Sequence, residues 1–124
     1  MSSIFELPDE LTSVSTIDGA ATLTTDQLIN GLILSTPTAA RTFTTPTATA
    51  ILVDVPTPKV GAAFDLTIRN TSAGAYALTL AGGTGVTVVG TATTAQNIVS
   101  RFRGVVTAID TPAVSLYRVG TGAV

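Results

Sequence analysis

Apolar and polar residues alternate with a period of two along much of this chain. Phe64, Leu66 and Ile68 alternate with Asp65, Thr67 and Arg69. Tyr76, Leu78 and Leu80 alternate with Ala77 and Thr79. Such a period sends successive side chains to opposite faces of a sheet, so both runs predict half-buried strands. Further strands are predicted at 22–25, 31–35, 41–44, 86–89, 98–109 and 113–119. Turn signals separate them: Pro37, Pro46, the polar run 70–74, Ala81-Gly82-Gly83-Thr84-Gly85, Gly90 and Asp110-Thr111-Pro112. Asn30-Gly31, between Leu28-Ile29 and Leu32-Ile33, is a hairpin signal. One stretch departs from this period. Ala48, Ile51, Leu52 and Val55 fall at i, i+3, i+4 and i+7, which predicts one short helix, with Thr47 as its cap and Pro56 as its stop.

Seven to nine short strands about ten residues apart predict an all-β sandwich or barrel. The chain has 24 Thr and 17 Ala among 124 residues. β-Branched Thr suits a pleated surface. No fixed-period repeat is visible, which argues against a solenoid or propeller. Residues 1–20 read as an extended N-terminal arm ahead of a β domain at 21–124, because Pro8 and the polar run Thr12 to Thr16 discourage regular structure and Asp18-Gly19 signals a turn.

Charge divides the chain in the same way. Residues 1–40 hold five acids and no base, whereas 41–124 hold three acids and all six bases. This asymmetry marks either an interaction arm or a solvated acidic tail. In the arm, Ile4, Phe5, Leu7 and Leu11 are apolar residues able to fill a partner's grooves or to pack back on their own domain, and Glu6, Asp9 and Glu10 are able to meet basic residues.

Composition then narrows the chemistry. Cys, His and Trp are absent. There is thus no thiol nucleophile, no zinc–thiolate cluster and no imidazole base. Six bases make no nucleic-acid footprint. No apolar run reaches the ~20 residues of a membrane helix, and Met1 to Glu6 lacks the pattern of a secretory signal. No cofactor, metal site or catalytic residue is predicted. Asp54, Asp65 and Asp110 stand near turns or strand starts, where Asp is ordinary. Ala81 to Gly85 precedes a predicted strand rather than a helix, so it reads as a turn and not a phosphate loop. Arg101 and Arg103 share one face of a strand, opposite Phe102. They read either as a solvated sheet face or as partners in an intersubunit salt bridge.

Several stretches together resemble a known module. They are Gly61 to Thr71, Leu78 to Thr87, Gly90-Thr91-Ala92-Thr93, Arg101-Phe102-Arg103-Gly104 and Ser115 to Gly120, preceded by Leu28 to Ile33 and Arg41 to Ala48. Over about residues 22–120 the chain resembles a small β-sandwich module of tailed-phage virion proteins, especially head decoration (cement) proteins. The resemblance implies a small antiparallel β-sandwich, jelly-roll-like or β-tulip-like. It also implies a homotrimer on the capsid surface that binds the major capsid protein, made in the host cytoplasm and without catalysis. On that reading the seven arm residues Ile4 to Leu7, Asp9, Glu10 and Leu11 contact the capsid, and Arg101 and Arg103 lie between subunits. A head-fibre or tail-fibre module that binds a host receptor is the alternative.

Overall fold

The computed structural model describes residues 12–124. Ten strands and two short helices follow in the order β1 (Ser13–Thr16), β2 (Ala21–Thr22), α1 (Thr25–Leu28), β3 (Gly31–Ser35), β4 (Arg41–Thr44), α2 (Ala48–Asp54), β5 (Ala63–Asn70), β6 (Leu78–Ala81), β7 (Val86–Val89), β8 (Thr93–Thr94), β9 (Ile98–Ala108) and β10 (Ala113–Ala123). The described chain is predominantly β, in two sheets. One sheet has the order β1-β3-β5-β9-β10-β7 and the other β2-β4-β6-β8.

From β1 to β9 successive strands alternate between the two sheets. Apart from the consecutive pair β9/β10, neighbours within a sheet are therefore two or more strands apart in sequence. Parallel neighbours need a crossover rather than a tight turn, and here a strand of the opposite sheet forms part of that crossover. Five pairings are parallel: β1/β3, β3/β5, β2/β4, β4/β6 and β10/β7. The expected antiparallel sandwich is corrected to two mixed sheets. Antiparallel pairing is confined to β5/β9, β9/β10 and β6/β8.

Both helices have local causes. Thr47 Oγ1 accepts from Ala50 N, and α2 buries Ala48 and Ile51, as its spacing predicts. The expected single helix becomes two, because residues 22–25 do not continue as a strand. Thr24 and Gln27 form a capping box in which each side chain accepts from the other's backbone N–H, and this starts α1. The expected hairpin at Asn30-Gly31 is absent for a related reason. Asn30 takes φ +54° after α1 and turns the chain into β3, which pairs in parallel on both sides. A Cβ at Gly31 would lie 1.8 Å from Gln27 O, so only Gly lets the helix abut the strand there. The run 12–16, expected to lack regular structure, contains β1.

A single apolar core lies between the sheets. Ile33, Leu66, Ile68, Phe102, Val106, Val114 and Leu116 come from the six-stranded sheet, and Phe43, Leu78 and Leu80 from the other. At one end the sheets are joined by polar groups. Asn70, fully buried at the end of β5, donates from Nδ2 to Tyr76 O and Thr94 O, while its Oδ1 accepts from Ser72 N. Thr94 Oγ1 of β8 donates to Ser100 Oγ of β9. Arg118 of β10 donates to Thr91 O and Thr93 O, with its guanidinium 5.9 Å from the centre of the Phe102 ring.

Candidate interaction face

Strand alternation divides the six-stranded sheet into a buried face and an outer face. In β9, Ser100, Phe102 and Gly104 are buried, whereas Arg101 and Arg103 are exposed. The two arginines thus share one face, opposite Phe102. Register extends that face across the sheet. Val14, Leu32, Thr67, Arg101 and Gly120 form one row. Thr16, Leu34, Arg69, Val99 and Gly122 form a second. Asp65, Arg103, Tyr117 and Val89 form a third. A register shift between Arg118 and Gly120 puts Val119, an exposed apolar residue, beside these rows.

These three rows carry three arginines and one carboxylate. Arg103 Nε lies 3.2 Å from Asp65 Oδ1, an exposed pair worth at most about 1 kcal/mol. The Asp65 backbone N–H donates to Asn30 Oδ1 at 3.1 Å. Among the described residues, Arg69 and Arg101 have no carboxylate partner. The face combines an excess of two positive charges with Val14, Leu32, Leu34, Val99, Tyr117 and Val119.

Three open hollows run along it. The first, about 350 Å³, is lined by Thr12, Asn30, Leu32, Asp65 and Thr67. The second, about 450 Å³, shares Asp65 and Thr67 with it and adds Arg101, Arg103 and Val119. The third, about 420 Å³, shares Arg101 and Val119 with the second and continues to Val99, Gly120 and Gly122. The shared residues make one track from the start of β1 to the far part of β10. Its lining includes Gly31, Thr67, Gly120, Thr121 and Gly122.

The other predicted positions play local roles. Asp54 accepts from Thr25 Oγ1. Residues 81–85 turn into β7, with Gly85 at φ +82°, and no helix follows. No cluster of three metal-ligating side chains occurs among the described residues. The predicted contacts Ile4, Phe5, Glu6, Leu7, Asp9, Glu10 and Leu11 lie outside the described residues. Sequence reading missed Arg69, Leu32, Leu34 and Val99 as members of the face. Arg69 carried a signal, since it stands in period with Asp65 and Thr67, but the cross-strand register that adds the others is set by tertiary pairing. Comparison of the chain with protein-family models, with curated proteins and with solved structures finds no match in any of the three.

Proposed function

We propose that this chain is a structural virion protein, a decoration protein that binds the outside of a phage head as a trimer and stabilises it. The observation that supports this reading most is the outer face of the six-stranded sheet, which combines apolar area with exposed arginines. Interface cores favour Arg and aromatic residues over Lys and Glu, and Arg101, Arg103 and Tyr117 fit that preference. The module resemblance supplies the identity of the partner, the major capsid protein. Within the reading, the body is a β-sandwich of jelly-roll-like or β-tulip-like type, Arg101 and Arg103 lie at subunit contacts, and the segment 1–11 reaches the capsid.

Quantitative mass spectrometry of purified particles tests the role. A simple fraction of the capsid-protein copy number supports decoration. A few copies per particle favours a fibre, and absence from the particle rejects both. Native mass spectrometry of the purified chain tests the trimer, at three times 12.5 kDa.

A further inference from the structure

We propose that the outer face of the six-stranded sheet is a binding track for an acidic, apolar polypeptide segment, and that its occupant in the free protein is the chain's own residues 1–11. The inference goes beyond the decoration role and does not depend on it.

Three observations point the same way. The first is charge. The face carries Arg69, Arg101 and Arg103 against Asp65 alone. Residues 1–11 carry Glu6, Asp9 and Glu10 and no basic side chain. Each side has the counter-charge that the other lacks. The second is apolar content. The track offers Leu32, Val99 and Val119, and the segment brings Ile4, Phe5, Leu7 and Leu11.

The third is reach. Thr12, where the segment joins the described chain, itself lines the first hollow. The track then crosses from β1 over β3, β5 and β9 to β10. Four strand spacings amount to roughly 19 Å at ~4.8 Å each. Eleven residues span up to about 36 Å when extended, so the segment can cover the whole track without leaving its own subunit. Tethering at Thr12 also gives it an effective concentration that a separate chain does not match.

The absence of Cys permits a clean test by paramagnetic relaxation. A nitroxide is attached to the Ser3→Cys variant of the full ¹⁵N-labelled chain. The expected result is selective loss of amide signal at Thr67, Arg101, Gly120 and Gly122, reversed when the nitroxide is reduced. That loss should diminish by half or more in the Glu6→Gln/Asp9→Asn/Glu10→Gln variant, whose substitutions lie outside the described residues. The exposed Arg69→Glu/Arg101→Glu pair should give the same result. Mixing unlabelled spin-bearing chain with ¹⁵N chain lacking the spin label should leave these signals intact. Signals on this face untouched by the label overturn the proposal. Loss that persists in the mixed sample overturns it too, since the occupant is then a second copy. Loss that ignores both sets of charge changes overturns the charge argument on which it stands.

Discussion

Replacing Asn70 by Ala removes hydrogen bonds of 2.7, 2.9 and 3.0 Å that hold the two sheets together at one end. Thr94 O, Tyr76 O and Ser72 N lose their partner in a region where Asn70, Ser72 and Thr94 are all buried. A buried polar group left unpaired costs about 1–3 kcal/mol. Tyr76 O is only partly buried, and water offsets some of its loss. The sum is roughly 3–5 kcal/mol, a large part of the ~5–15 kcal/mol that stabilises most domains. Urea denaturation should show this as a lower midpoint with an unchanged slope. Asn70→Asp sharpens the test because it keeps the shape but turns the side chain from donor to acceptor. A carboxylate there would face two carbonyl oxygens in a buried site, so its pKa in the folded state lies above the unfolded value of ~3.9. The deficit relative to the parent is therefore smallest below ~3.9 and grows as pH rises from there through the folded pKa. Unfolding at pH 3 and pH 7, each measured against the parent chain, separates the outcomes. A loss under about 1 kcal/mol for Asn70→Ala, or an equal Asn70→Asp deficit at both pH values, refutes the role assigned to this residue.

Gly104→Ala would place a methyl 2.2 Å from Cζ of the Phe64 ring, which lies over Gly104 across the β5/β9 pair. Overpacking of this kind costs about 1–3 kcal/mol, and calorimetry should find the cost reduced in a Phe64→Leu background. Thr47→Ala removes the α2 cap and should lower stability by ~1 kcal/mol in urea titration. Arg118→Met leaves Thr91 O and Thr93 O without their charged donor; a loss of about 1.5–3 kcal/mol is expected, with hydrogen exchange fastest around residues 91–94.

Runs bounded by turn signals made β3, β4, β7 and β9 legible, and period-two alternation made β5 and β6 legible, since each has one face on the core and one face outside. The helical spacing at Ala48, Ile51 and Val55 was legible for the same reason. The order of strands was not. The pairing partner of β3 is Ser13 to Thr16 on one side and Leu66 to Asn70 on the other. Ser13 stands 18 residues before Gly31, and Leu66 stands 35 after it. These unequal steps leave no sequence period, although the strands stack in parallel as successive coils would. Thr24 and Thr25 were misread as strand because Thr favours strands by propensity, whereas the capping box of Thr24 and Gln27 decides the local structure. The outer face was half legible. Arg101 and Arg103 could be assigned to one face from two-residue spacing alone, but their placement beside Leu32 and Val99 depends on register.

Strand direction constrains how copies of this chain can meet through the six-stranded sheet. β1, β3 and β5 are parallel, β9 opposes β5, β10 opposes β9, and β7 is parallel to β10. The two edges, β1 and β7, therefore point the same way. A two-fold dimer through one edge pairs that strand with itself, antiparallel. A head-to-tail contact pairs β7 of one copy with β1 of the next, parallel, and repeats around a ring. A trimer built through these edges needs the second arrangement, because a self-pairing edge is used up in a dimer. Val14 and Thr87 lie exposed on the two edge strands and can be replaced by cysteine without competition from any native thiol. Bismaleimide treatment should cross-link an equal mixture of Val14→Cys and Thr87→Cys chains into mixed dimers, while either variant alone stays uncross-linked. Efficient cross-linking of Val14→Cys alone would show a β1-to-β1 dimer and refute a trimer built through these edges. Cross-linking of neither kind would move a trimer contact away from the edges and onto the faces of the sheets.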